Sequence, residues 1–365
     1  RAGHDTTVLA TEYDEATVRA WQAGYPHPAL GMVLPQNITI CGPDDWSGAL
    51  AETELIAVAV ASPGLESVLS AAARSARPGT IWLLATKGWQ VQTLLSPSEV
   101  AAVLLGGNAR LVTLAGPAIA AEIVAGSPTA LLCASRDAQA RRHAAAVLSA
   151  PSTLVVTTSD VVGAETSSAF KNVVAIAVGI AEGLSQRFIE SVYVREFANA
   201  RAAMFAQGMV DMVRLAEAKG GHASTVVGLA GAGDLYVTCV GGRNGRFGRL
   251  LGAGASREQA MRTIGSTVEG VANTEVALGL ASRFDIDLPT ARTVDLALHE
   301  QLTDEQAMDR LRRLLRSTIR HSAHVAGFAT EGEPTAEPTV ESTAGAAPTG
   351  HRGEPATRTG QRVRT

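Results

Sequence analysis

From the first residues to about position 155, short and continuously apolar runs alternate with segments whose apolar positions recur at helical spacing. The runs Thr7–Ala10, Leu55–Val60, Ile81–Ala85, Leu111–Leu114, Ala130–Cys133 and Leu154–Thr157 are brief and rich in β-branched residues, which predicts strands buried on both faces. Between them, Gly64–Ser75 and Asp137–Leu148 predict helices. This alternation predicts an α/β fold with a doubly wound, mainly parallel sheet and right-handed crossovers.

After position 160 the pattern becomes helix after helix, which predicts an all-helical second domain. Ser256 with Gln259, and Thr303 with Gln306, have capping-box spacing, in which a hydroxyl and an amide side chain satisfy orphan backbone donors. From Glu331 onward the chain is Pro, Thr, Glu, Gly and Ala, and too few large apolar side chains remain to offset ordering entropy. The expected organisation is a sheet domain over 1–158, a helical domain over 159–325 and a disordered tail over 326–365.

Composition narrows the class. Of 365 residues, 46% are hydrophobic and 18% charged, which fits a folded protein large enough for two cores. A net charge of -4 gives no global pull toward nucleic acid or anionic membrane, so any recognition of phosphate has to be local. No uninterrupted apolar run reaches the ~18–20 residues of a membrane helix, and no secretory leader opens the chain, so a cytoplasmic protein is expected. Cys41, Cys133 and Cys239 lie far apart without metal-ligand spacing, which suits free thiols in a reducing compartment. His321 and His324 lack companion ligands, so no metal is expected. The basic run Arg310, Arg312, Arg313, Arg316 and Arg320 is accounted for by solvation and the helix dipole, with no aromatic platform for nucleic acid.

The chemistry concentrates in two blocks. Lys171 opens Lys171-Asn172-Val173-Val174-Ala175-Ile176, an amine inside an apolar helix, where burial lowers a lysine pKa toward the working pH of a general acid or base. Later come Gly231-Ala232-Gly233-Asp234-Leu235-Tyr236-Val237-Thr238 and then Gly242-Arg243-Asn244, a carboxylate at a Gly-rich turn and a guanidinium able to hold phosphate bidentately. Lys87 ends a predicted strand, at the edge where ligands of parallel sheets gather, and Gly116-Pro117-Ala118-Ile119-Ala120 follows the next one. Gly231-x-Gly233 is not read as a dinucleotide loop, because position 236 is Tyr and no strand precedes it.

The order and spacing of these blocks, with Ser159–Glu165 ahead of Lys171, resemble the soluble, bacterial-type NAD(P)-dependent glycerol-3-phosphate dehydrogenases. The resemblance spans roughly residues 1–322. It implies a Rossmann-like domain binding NAD or NADP, a reaction between dihydroxyacetone phosphate and sn-glycerol 3-phosphate that feeds phospholipid synthesis, and often a homodimer. It also implies roles: Lys171 as the catalytic proton donor, and Lys87, Gly116, Asp234, Thr238, Arg243 and Asn244 at the substrate. Glu12, Lys87, Ala120, Arg243, Thr267 and Glu269 would meet the cofactor, with Glu12 on the adenosine ribose and favouring NAD.

Three departures from the family pattern stand out. Ala118 replaces a usual Ser or Thr, one supporting arginine after Asn244 is absent, and 185–198 replaces a short loop with a longer segment. In addition, Arg1-Ala2-Gly3-His4-Asp5 resembles the end of a first helix, so of a βαβ unit of ~30 residues the strand and Gly-rich turn that open the family pattern are expected to be missing here. A related dehydrogenase with another hydroxy-acid or sugar-phosphate substrate, or a non-catalytic homologue lacking the cofactor loop, would fit the same residues.

Overall fold

The computed structural model describes residues 3–11, 14–27, 30–35, 37–42, 45–188 and 197–300, with 305–306, 309, 312–313 and 316 beyond them. Glu12, the 189–196 part of the longer segment, Thr303, Arg310, Arg320, His321, His324 and the 326–365 tail lie outside the described residues.

The apolar runs form strands β1 (Thr6–Leu9), β2 (Ile38–Cys41), β3 (Leu55–Val58), β4 (Ile81–Leu84), β5 (Arg110–Ala115), β6 (Thr129–Ala134) and β7 (Thr153–Thr158). Helices α1 (Glu15–Gln22), α2 (Trp46–Ala51), α3 (Leu65–Ala73), α4 (Pro97–Leu105), α5 (Ala120–Ala125) and α6 (Ala138–Leu148) separate them. The strands make a two-stranded sheet, β1-β2, and a five-stranded sheet in the order β3-β4-β5-β6-β7. All neighbours are parallel except β5 with β6. β2 is not among the expected strands, because it is only four residues long and follows a Pro- and Gly-containing stretch that reads as loop. β4 is buried along its whole length, as a central strand covered on both faces requires.

Beyond β7 the chain is helical: α7 (Val161–Phe188), α8 (Ala198–Ala218), α9 (Ala223–Val226), α10 (Asp234–Gly241), α11 (Arg243–Gly252), α12 (Arg257–Ile264), α13 (Glu269–Phe284) and α14 (Pro289–His299). The Ser256–Gln259 capping box forms at the start of α12, with both reciprocal bonds present. α7 is the axis of this half, and Phe170, Val173, Val174, Ala175, Ile176 and Ala177 are all fully buried. By length and composition α7 could cross a membrane, contrary to the reading of short apolar runs, and so could the stretch Ala223–Gly241. The qualifying window of α7 is 89% buried by the rest of the protein, however, which is the environment of a core helix.

α7 and α11 pack almost backbone to backbone. A Cβ on Gly179 would overlap the carbonyl of Gly245, one on Gly183 that of Arg249, one on Gly248 that of Ile176 and one on Gly252 that of Ile180. Close packing of this kind leaves no slack for an added methyl. Gly248→Ala should therefore lower stability by roughly 1–3 kcal/mol, read as a reduced denaturation midpoint. Gly241→Ala, whose Cβ would meet nothing within 4 Å, should not; equal midpoints for the two variants would refute the close approach.

Candidate active site

Lys171 lies in the first half of α7 and is only 5% exposed. Its ammonium donates to Asp234 Oδ1 at 2.5 Å and to Thr238 Oγ1 at 2.9 Å. Lys87, in the loop leaving β4, donates to the other oxygen of the same carboxylate, Asp234 Oδ2, at 2.9 Å and to the Gly116 carbonyl at 3.4 Å. Gly116 itself has φ +103°, a conformation L side chains rarely adopt, and packs against the backbone of β6. Residues from the end of β4, the end of β5, α7 and α10 thus meet at one buried carboxylate.

The Gly-rich segment explains how Asp234 gets there. Leu229–Gly233 is a π-helical turn, and a Cβ at Gly231 would overlap the Val226 carbonyl, so only glycine lets the turn tuck in this far. Such turns recur at functional sites. Asp234 then begins α10, and Thr238, one turn on, donates to the Asp234 carbonyl at 2.6 Å while accepting from Lys171.

The electrostatics follow from burial. Desolvation lowers the Lys171 pKa most, and the Lys87 ammonium lowers it further, while Asp234 and then Glu269 pull it up; the balance is about 8. A lysine held there exchanges its proton near neutrality, which one in water does not.

A second layer connects this cluster to α11. Asn172 accepts from Asn244 Nδ2 at 2.9 Å and donates to Glu269 Oε2 at 3.5 Å, and Asn244 Oδ1 accepts the Gly270 main-chain N–H at 2.9 Å. Both ends of the Asn244 amide are therefore engaged within the protein. What this stretch offers an anion is the main-chain N–H groups of α11's first turn, where the N-cap Gly242 supplies no capping side chain, together with exposed Arg243.

The structure brings together Lys171, Lys87, Gly116, Asp234 and Thr238, and connects Glu269 and Asn244 to them through Asn172. Ala120, at the start of α5, and Thr267, ahead of α13, are exposed and make no hydrogen bond to the cluster among the described residues. Asn273 was not anticipated. It is 1% exposed, accepts the Trp89 N–H at 3.2 Å and donates to the Ala169 carbonyl at 3.1 Å, tying the loop that carries Lys87 to α7. No local pattern marks it, since its partners are 184 and 104 positions away.

At the carboxyl ends of β3 and β4, Ser62 Oγ and Trp89 Nε1 are buried without a hydrogen-bond partner, and a Cβ on Gly88 would overlap Ser62 Oγ. Orphaned polar atoms beside a glycine opening, next to Lys87, fit the nicotinamide end of a dinucleotide. Among the described residues no strand-to-helix turn carries a Gly-x-Gly-x-x-Gly pattern for the pyrophosphate, and no group of three or more His, Cys, Asp or Glu is placed to hold a metal.

Comparison with known proteins agrees over most of the chain. Residues 3–141 match the model described as NAD-dependent glycerol-3-phosphate dehydrogenase N-terminus, and residues 160–309 match that of the C-terminus. Glycerol-3-phosphate dehydrogenase (NAD(P)+) of Symbiobacterium thermophilum is 35% identical over 80% of this chain and 82% of its own length. The enzyme of the same name from Aromatoleum aromaticum is 33% identical over 82% and 84%. Among solved structures, glycerol-3-phosphate dehydrogenase from Coxiella burnetii superposes with a TM-score of 0.75 at 29% identity, covering 86% of this chain and 92% of that one.

The opposing pulls on Lys171 can be separated. Lys87→Met should move the Lys171 pKa above its value of about 8, and Asp234→Asn should move it below. The pH dependence of Lys171 acetylation, read by mass spectrometry, measures both, and shifts of the same sign would contradict the charge balance.

Proposed function

The chain belongs to the NAD-dependent glycerol-3-phosphate dehydrogenase family, and from that membership we propose that it interconverts dihydroxyacetone phosphate and sn-glycerol 3-phosphate using NAD or NADP. The observation that carries this reading is a buried lysine, held near neutrality in pKa, sharing one carboxylate with a second lysine beside an anion-binding helix end.

Ser62, Lys87 and Gly88, at the carboxyl ends of β3 and β4, would hold the nicotinamide end of the cofactor, which when bound would supply or take the hydride at C2 of the triose. The protein handles the rest. An ammonium has three donors; Lys171 commits one to Asp234 and one to Thr238, leaving the third for the substrate oxygen. In reduction Lys171 gives that proton to the oxygen on C2, and in oxidation the neutral amine takes it back. Lys87 and Asp234 hold Lys171 in place and set the charge around it. Arg243 and the first-turn N–H groups of α11 take the phosphate, and the Asn172–Asn244 bond keeps this clamp in register with the neighbouring Lys171.

The same proposal divides the chain into a cofactor-binding part, 1–158, and a substrate part, 159–325, and places it in the cytoplasm as a homodimer. Free cysteines support the compartment. Sedimentation velocity tests the dimer.

Because reduction needs the ammonium and oxidation the amine, kcat for dihydroxyacetone phosphate reduction should fall as pH rises through about 8, while oxidation of glycerol 3-phosphate rises over the same interval; profiles flat across that interval would remove Lys171 as the proton carrier. Lys171→Ala should lower kcat by roughly 10²–10⁴-fold. Arg243→Ala should act mainly on KM for dihydroxyacetone phosphate, by about 10–100-fold, and an unchanged KM would place the phosphate elsewhere.

A further inference from the structure

Six residues before Lys171, Glu165 is 4% exposed, and six helical positions correspond to about 240° of rotation, so the two side chains leave α7 on different sides. The Glu165 carboxylate accepts the Ser98 main-chain N–H at 2.9 Å, the Ser98 hydroxyl at 2.6 Å and the Thr113 hydroxyl at 2.9 Å. Ser98 stands in the first turn of α4, where backbone donors lack helical partners, and Thr113 is on β5. Burial pushes the Glu165 carboxyl up, against the opposing hydrogen bonds from Ser96, Ser98 and Thr113.

Proton transfer makes no use of this carboxylate, and no ion pair accompanies it among the described residues. Its contribution is geometric. The sheet side of the site supplies Lys87 and the Gly116 carbonyl, and the helical side supplies Lys171 and Asp234. Thr113 is three residues before Gly116 on one element, and Glu165 is six before Lys171 on another. We infer that Glu165 is a positioning residue for the proton-transfer step: by gripping β5 and the first turn of α4 it sets the rotation of α7, and with it where Lys171 meets Lys87 and Asp234. The catalytic consequence rests on the dehydrogenase reading; the positioning itself does not.

The test reads Lys171 directly. The titratable groups facing its ammonium are Lys87 from the loop after β4, Asp234 and Cys239 from α10, and Glu269 from α13; burial pushes the Cys239 thiol up to about 12, so it stays neutral throughout. Competitive acetylation of the full chain, followed by mass spectrometry from neutrality to the ordinary lysine range, gives the Lys171 midpoint without turnover. In Glu165→Ala the N-terminal turns of α7 lose their tie to β5 and α4, Lys171 moves off Lys87 and gains water, and the midpoint should move from about 8 toward the ordinary value. Glu165→Gln keeps an acceptor for Ser98 and should restore the midpoint, which a bulk loss of stability would not predict. In turnover, Glu165→Ala should lower kcat by at least about tenfold with KM for dihydroxyacetone phosphate changed by no more than about threefold. An unmoved midpoint in Glu165→Ala with native circular dichroism overturns the assignment; if that variant does not fold, Ser98→Ala combined with Thr113→Val decides by the same criterion. A wild-type chain inactive toward dihydroxyacetone phosphate would sink the substrate reading alone, because acetylation still decides the role of Glu165.

Discussion

The Asp234 carboxylate is buried to 2% exposure and shared by two ammonium groups, and the geometry of the site depends on it. Taking a carboxylate and an ammonium out of water costs several kcal/mol per ion after relaxation, and removing one partner leaves the other uncompensated. That cost is offset only if the loop after β4, helix α7 and the π-helical turn before α10 all converge with good geometry. The three groups together carry one net positive charge in a place with little water. This surplus adds to burial, the larger cause, in lowering the Lys171 pKa despite a hydrogen bond of 2.5 Å to an acid. It also suits a site where negative charge develops on a substrate oxygen.

Convergence of this kind needs rigid supports, and the closest helix contact in the protein provides one. Glycines on α7 and α11 bring the two backbones together, so α11 runs along α7 and its first turn ends beside Asn172, next to Lys171. The contact that removes slack from the core therefore also fixes the N-terminal end of α11 relative to Lys171. A larger residue at any of these glycines would displace the first turn of α11 as well as cost packing energy. Glu182 extends the same coupling down α7, pairing with Arg249 on α11 at 2.7 Å.

What could be read from sequence was whatever is written locally. The strands show as short β-branched runs, although β1 and β7, expected to be buried on both faces, contain no buried residue because each lies at the end of its sheet; Lys171 shows as an amine in an apolar helix, and Asp234 as an acid in a glycine turn. The family pattern joined them before any coordinates did. What could not be read depends on partners far apart in the chain. Glu165 meets its partners 67 and 52 positions away, Asn273 stands 184 from Trp89, and Asn172 and Asn244 are separated by 72. No periodicity encodes such pairs. Asn244 shows the difference most sharply: the family pattern places it at the substrate, and the fold adds what no motif records, that both ends of its side-chain amide join α11 to α7 and α13. β2 was missed for the opposite reason, since four residues inside a loop-like stretch fall below what a local pattern can resolve.

The division of the strands into two sheets bears on where a dinucleotide can lie. β1 pairs with β2 alone, and β3 pairs with β4, yet Leu9 at the end of β1 and Trp46 pack against the cluster built from Ile56, Val58 and Leu69. Apolar contact thus continues where the hydrogen-bond ladder stops, and the Trp46 indole donates to the Ala10 carbonyl at 3.1 Å just past the end of β1. In open parallel sheets the ligand crevice forms at the carboxyl ends of strands whose connections leave in opposite directions. From this discontinuity the chain runs out through β1 to β2 on one side and through β3 to β7 on the other. The orphaned Ser62 hydroxyl, Lys87 and Gly116 all sit at carboxyl ends on the β3 side. The five-stranded sheet therefore presents these groups together, and its central strand β5 is also held to α7 through Thr113 and Glu165, so the sheet side and the helical side of the cluster are fixed to one another by the same strand.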